Sequence, residues 1–145
     1  MKKLLWVGMA ALLLAVSGCS GNSLDGDWPS MVWKAEQAGN PQNGKEYAVS
    51  PHGSTLSFVC TNYGSPWFAG AQENGTYILP DYEARDYGNI KGDWFGASID
   101  GNRFSVTFLP NDTQAERSVA ITVTAGDIFH TFKFCQSATQ TEATP

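Results

Sequence analysis

The sequence has few of the residue types that catalysis and metal binding most often use. It contains only two histidines, His52 and His130, which lie far apart and show no ligand spacing. The HExxH, CxxC and GxSxG motifs and a phosphate-binding glycine loop are all absent. We therefore predict no catalytic residues, no metal site and no cofactor, and we expect the protein not to be an enzyme.

Basic residues are also scarce. Nine Lys and Arg face 14 Asp and Glu, which gives a formal net charge of −5, and the basic residues are scattered along the chain. Domains that bind nucleic acid concentrate Lys and Arg on one surface to meet the phosphates. The composition therefore excludes a nucleic-acid partner.

A helical hydrophobic period is missing beyond the first 18 residues. Short segments alternate between apolar and polar residues instead, most clearly over residues 103–108, 119–124 and 128–134. Asp100-Gly101-Asn102 and Ala125-Gly126-Asp127 supply turns next to these segments. About seven short strands with this spacing predict an all-β fold, a β-sandwich.

The one long apolar run lies at the N-terminus. Lys2 and Lys3 precede an apolar stretch over residues 4–16, which is too short for a mature membrane span and is typical of a signal peptide over residues 1–18. The small residues before Cys19 match the lipobox of bacterial lipoproteins, in which this cysteine carries diacylglycerol and a further acyl chain such as palmitate. The alternative is an ordinary secretory signal with a chance cysteine.

Processing at Cys19 would leave a simple domain organisation. Residues 19–27 form a lipidated tether, residues 28–137 one folded domain, and residues 138–145 a flexible tail. Loss of Lys2 and Lys3 leaves seven basic and 14 acidic residues, a net charge of −7. We expect attachment to the membrane through the lipid alone, and Ser20 favours the outer membrane.

Two cysteines, Cys60 and Cys135, remain after lipidation. An oxidising compartment would allow a disulfide between them. The alternation of their strands opposes it, because Cys60 shares a face with Leu56 and Phe58 whereas Cys135 shares one with Thr131 and Lys133. The two alternatives are a disulfide, which would need a bulge in one strand, and a buried, inert Cys60.

Residues 81–89 combine aromatic, acidic and amide side chains without strand alternation. Sugar-binding sites stack pyranose rings on exposed aromatic faces and bind hydroxyl groups through carboxylates, amides and guanidinium groups. The candidate ligand-binding residues are Asp81, Tyr82, Glu83, Arg85, Asp86, Tyr87 and Asn89. The alternative is that this segment folds back and covers the edge of a sheet.

The remaining aromatic residues are assigned mainly to packing. Trp67 and Trp94 are predicted to lie in the core. Trp28 and Trp33, together with Tyr47, either pin the first strand to the sandwich or form an exposed patch for a protein partner.

The polar stretch over residues 110–117 is predicted to connect two strands rather than to form a reactive cluster. Pro110 ends the first strand, and Asn111 can bond its own backbone in an Asx turn. Arg117 lies two and four residues before Val119 and Ile121, so the alternation of the strand places it on the same inward side as these residues. Its stem should therefore point inward while its head reaches Glu116 or water.

The C-terminal half of the chain resembles the BACON domain. The resemblance covers residues 50–136 and is carried by Trp67, Trp94, Phe95, Asn111, Arg117, Ile121, Val123, Gly126 and Gln136. It implies an immunoglobulin-like β-sandwich from a Bacteroidota-type bacterium, in proteins of the cell surface that process glycans. The resemblance favours binding of glycan or mucin. The competing hypothesis is a structural or protein-interaction module, such as an accessory subunit of a larger surface complex.

Overall fold

The computed structural model describes residues 28–139, which form ten β-strands and no helix. The predictions for the signal peptide, Cys19, the tether and the tail after residue 139 lie outside the described residues. The strands are β1 Trp33–Gln37, β2 Tyr47–Val49, β3 Ser54–Cys60, β4 Trp67–Glu73, β5 Thr76–Ile78, β6 Asn89–Lys91, β7 Phe95–Asp100, β8 Arg103–Phe108, β9 Arg117–Thr124 and β10 Phe129–Gln136.

The strands form two five-stranded sheets packed face to face. Sheet one has the order β1-β3-β8-β7-β6, and sheet two has the order β2-β10-β9-β4-β5. All pairs are antiparallel except β2 with β10. The orders β1-β3-β8-β7 and β10-β9-β4 correspond to strands A-B-E-D and G-F-C of an immunoglobulin domain. The predicted immunoglobulin-like sandwich is therefore confirmed.

The prediction of about seven strands was too low. The additional strands β2, β5 and β6 contain three residues each, which is too short for alternation to be visible in the sequence. These segments become strands because each pairs with a longer neighbour, β10, β4 or β7.

The core consists mainly of phenylalanine rings contributed by both sheets. Phe58 and Phe104 of sheet one meet Phe132 and Phe134 of sheet two, with ring centroids 4.8 Å apart for Phe58–Phe132 and 4.7 Å for Phe104–Phe132. All four side chains are buried. Each occupies an inward position of an alternating strand, so the sequence pattern places them on facing surfaces of the two sheets.

A polar network closes one end of this core. The amide of Gln136 donates to the backbone oxygens of Ser50 at 2.9 Å and Leu109 at 2.8 Å. Its Oε1 accepts a hydrogen bond from Arg117 Nε at 2.8 Å. The guanidinium carbon lies 4.5 Å from the ring centroid of Trp94. Arg117 thus points inward as predicted, but its head binds Gln136 and the backbone oxygens of Leu109 and Pro110 rather than Glu116.

Asn111 is fully buried within the loop at this end of the sandwich. Its Oδ1 accepts hydrogen bonds from Thr113 N at 3.1 Å and from the Thr113 hydroxyl, as expected for an Asx turn. Its amide donates to the backbone oxygen of Ala115 at 2.9 Å and to that of Ser137 at 3.1 Å. The polar stretch is therefore a packed connection between β8 and β9.

Cys60 and Cys135 are both free thiols. Cys60 is buried among the inward residues of β3, whereas Cys135 lies on the outer side of β10. Burial, followed by the neighbouring Glu116, raises the pKa of the Cys135 thiol to about 12. The argument from strand parity is confirmed, and of the two alternatives the structure has the buried Cys60.

The tryptophans divide differently from the prediction. Trp94 is buried as expected, but Trp67 is 39% exposed, so its assignment to the core was wrong. The register of β4 against β9 shifts between Phe68 and Gly70, which is a β-bulge. Ala71 and Glu73 point inward after the bulge, and continuous alternation would have placed Trp67 on their side of the sheet. The extra residue of the bulge shifts the alternation by one position, so Trp67 points outward and Phe68 points inward.

Two of the N-terminal aromatic residues, Trp33 on β1 and Tyr47 on β2, pack their strands against the core. Trp33 packs edge-on against Phe104 and Phe132, with ring centroids 6.3 and 5.1 Å apart. Tyr47 packs against Phe58 at 4.9 Å. Trp28 and Val32, in contrast, are both exposed.

Replacement of Phe58 by Ala should lower the free energy of unfolding by about 3–5 kcal/mol, because it leaves a cavity between the two sheets. Urea unfolding of the protein comprising residues 20–145 measures this change. Leu109→Ala is the control, since that side chain is exposed and should change stability by less than about 0.5 kcal/mol. Equal effects of the two substitutions would contradict the assignment of the core.

Candidate functional site

The candidate segment, residues 81–89, crosses from sheet two to sheet one at the edge of the sandwich. The backbone oxygen of Tyr87 accepts a hydrogen bond from Phe68 N of β4 at 2.9 Å. The backbone oxygen of Gly88 accepts one from Ile99 N of β7 at 2.8 Å. The backbone of the segment therefore covers an edge of each sheet, which was the structural alternative for these residues.

A compact turn shapes the segment. The Asp86 backbone N donates to the Asp81 backbone oxygen at 3.0 Å, and the Asp81 carboxylate accepts a hydrogen bond from Ala84 N at 2.9 Å. Arg85 has a positive φ of 54°, the left-handed conformation that such a tight reversal requires. The turn thus brings the two ends of residues 81–86 together.

The Asp86 carboxylate is engaged within the segment. Its Oδ1 accepts hydrogen bonds from Gly88 N at 3.1 Å and from Asn89 Nδ2 at 3.0 Å, and its Oδ2 accepts from the same amide nitrogen at 3.0 Å. Such bonds fix the path of the chain into β6. Asp86 therefore acts first as a positioning residue for the turn.

The turn places Tyr82 and Tyr87 in contact. Their ring centroids lie 5.6 Å apart with an interplanar angle of 62°, and the residues are 52% and 36% exposed. An edge-to-face pair holds both rings in a defined orientation while leaving part of their surface accessible. Glu83 and Arg85 are also exposed and lie within the same turn.

A recess of about 510 Å³, with both polar and apolar lining, adjoins this segment on the outer face of sheet one. Asp81 and Asn89 of the candidate segment line it, and its other lining residues are Leu79, Ile90, Lys91, Gly96, Ala97, Ser98, Ser105 and Thr107. The hydroxyl-bearing residues occupy the outward positions of β7 and β8. Their alternation was visible in the sequence, but their approach to residues 81–89 depends on the order of the strands.

Within residues 28–139, no three His, Cys, Asp or Glu side chains are arranged to hold a metal ion. His130 packs against Trp33 and Phe132, with ring centroids 6.2 and 4.6 Å apart, and burial lowers its pKa. These contacts agree with a histidine at the edge of the core. The same residues include no helix with the length and apolar character needed to cross a membrane.

Comparison with known proteins identifies a structural relative. No protein-family model matches the chain, and no curated protein matches it. The NMR structure of a protein from Bacteroides thetaiotaomicron is 30% identical, with a TM-score of 0.67 over 80% of this chain and 93% of that one. Domain M7 of titin is 11% identical, with a TM-score of 0.41 over 78% of this chain and all of that domain.

Replacement of Asp86 by Ala should loosen residues 81–89, because the backbone N–H of Gly88 and the side-chain amide of Asn89 both lose their acceptor. We expect amide hydrogen exchange in this segment to become at least about fivefold faster, corresponding to about 1 kcal/mol of local stability. Hydrogen exchange read by mass spectrometry measures the change. Asp112→Ala, an exposed acid in another loop, provides the matched control, and unchanged exchange in the Asp86 variant would contradict its positioning role.

Proposed function

We propose that this chain, which belongs to the same family as the Bacteroides thetaiotaomicron protein, is a non-enzymatic lipoprotein that binds carbohydrate at the cell envelope. The observation that carries the proposal is the exposed pair of Tyr82 and Tyr87 next to a recess lined by hydroxyl, amide and carboxylate groups. The ligand class is a glycan or mucin chain.

The chemistry of this surface suits a sugar. The apolar C–H face of a pyranose ring can pack on an exposed tyrosine, while its hydroxyl groups bond to Asp81, Asn89 and the hydroxyls of the recess. The surface is shallow and its acids are partly engaged in the turn, so binding should be weak for a single sugar. A longer glycan would gain affinity by contacting both the tyrosines and the recess.

Two further lines support a role at the cell surface. Residues 50–136 resemble the BACON domain, which implies association with proteins that process surface glycans. The predicted signal peptide and the lipobox at Cys19 imply a lipid anchor in the outer membrane. Neither line identifies the sugar, so the ligand must be found by screening.

A glycan array probed with residues 20–145 tests the proposal. We expect binding to at least one group of related glycans, and we expect Tyr82→Ala to reduce it by about tenfold through loss of one aromatic contact. Leu109→Ala is the control, because it removes an exposed apolar side chain from another part of the surface. An array without hits would refute carbohydrate binding.

A protein-interaction function is the second candidate. Trp28 and Val32, four residues apart at the start of the described chain, are both exposed apolar side chains of the kind that a protein partner could cover. In this alternative the protein is an accessory subunit of a surface complex. Loss of partner binding on Trp28→Ala, with Tyr82→Ala unaffected, would favour it over carbohydrate binding.

The lipid anchor gives a separate prediction. Cys19→Ala should shift the protein from the membrane fraction to the soluble fraction, because no acyl chains can be attached at that position. Fractionation followed by immunoblotting measures the distribution, with Ser20→Ala as the control that retains the cysteine. Continued membrane association of the Cys19 variant would exclude this anchor.

A further inference from the structure

The outer face of sheet two carries a second surface that residues 81–89 do not explain. The strand registers place Tyr77, Gln72, Ala120 and Lys133 in one row across β5, β4, β9 and β10. The next row in register contains Gly70, Thr122 and Thr131. A third row contains Trp67, Thr124 and Phe129.

These rows create a groove that crosses the strands. Gly70 and Thr122 form part of its floor, where Gly70 lacks a side chain and the Thr122 hydroxyl is bonded to that of Thr131 at 2.9 Å. Tyr77 and Phe129, which are 75% and 60% exposed, rise at its sides. The groove has a volume of about 450 Å³.

Leu79 adds an apolar contact at the β5 side of the groove. Tyr77 and Lys133 lie three strand spacings apart, which corresponds to about 14 Å. The groove is therefore long enough for a short chain of linked rings to contact the aromatic residue and the lysine together. It also offers polar partners along its length, since Gln72, Thr122 and Thr131 line it.

The charge of the groove is opposite to that of the protein. Lys133 is its only charged lining residue, in a chain with a net charge of −5. Within residues 28–139 the single ion pair joins Arg103 to Glu36, so Lys133 has no carboxylate partner there. A neighbouring recess of about 300 Å³ contains Lys133 together with Lys45 and His130. Glu46 lines a further recess on another side of Lys133.

We propose that this groove binds an acidic oligosaccharide, with sugar rings against Tyr77 and Phe129 and a carboxylate at Lys133, beside the recess that contains Lys45. Local charge complementarity selects this occupant, because an anionic ligand gains a partner in Lys133, which has no carboxylate partner within residues 28–139. The exposed aromatic side chains and the hydroxyl groups of Thr122 and Thr131 match the two kinds of surface that a sugar presents. The groove shares Leu79 with the recess of sheet one but contains neither Tyr82 nor Tyr87, and it does not depend on their role.

The test uses tetrasaccharides of galacturonate, mannuronate and hyaluronate as probes, with residues 20–145 labelled with nitrogen-15 and titrated by NMR. We expect at least one probe to shift amide signals of β4, β9 and β10. The methyl ester of the same tetrasaccharide should bind at least about fivefold more weakly, because it lacks the charge. Raising the salt concentration should weaken binding of the acid but not of its ester.

Side-chain replacements locate the ligand. Lys133→Ala should reduce affinity at least about fivefold, and Tyr77→Ala about tenfold. Lys34→Ala is the matched control, because it removes the same charge from an exposed position on β1, in the other sheet. Both Lys133 and Tyr77 are exposed, and an unchanged circular dichroism spectrum would verify that the variants fold.

The outcomes separate this inference from the proposed function. Loss of binding on Lys91→Ala or Tyr82→Ala, with no effect of Lys133→Ala, would place the sugar on sheet one and overturn the present inference alone. Equal binding of acid and ester, self-association through sheet two, or no shift with any of the three probes would also overturn it. Binding that depends on Lys133 and Tyr77 but not on Tyr82 would support it.

Discussion

The contact between the phenylalanine rings of the two sheets sets the orientation of the strands that carry them. Phe58 and Phe104 must face Phe132 and Phe134 for the rings to leave water, and this requirement fixes which side of β3, β8 and β10 is inward. The side chains that alternate with them are then forced onto the outer faces. Outward residues of β8 and β10 help to line the recess of sheet one and the groove of sheet two, so both surfaces follow from the same packing.

The edges of the sandwich impose a second constraint, since an unpaired strand edge exposes backbone donors and acceptors. Residues 81–89 meet part of this demand by bonding Phe68 on one sheet and Ile99 on the other. Side chains in the same segment are released from core packing, so Tyr82 and Tyr87 can remain accessible. One segment thus serves both the stability of the sandwich and the proposed sugar contact.

The polar end of the core shows how buried hydrogen-bonding groups can specify one arrangement. Gln136 links the backbones of Ser50 and Leu109 to Arg117, and the guanidinium group lies over Trp94. A buried amide or guanidinium group without partners would destabilise the fold, so these side chains require the loops to meet in this way. The loop that holds Asn111 is consequently part of the packed structure rather than a reactive site.

Alternation in the sequence determined the strand faces, the all-β class and the free state favoured for Cys60, because the side-chain period of a strand is a local property. It could not determine the position of Trp67, since the bulge in β4 reverses the parity and arises from pairing with β9. Local sequence also indicated a polar segment without strand alternation around Tyr82 and Tyr87. Only the tertiary structure decided that Tyr77 and Lys133 share a row, because strand order joins residues that lie far apart along the chain.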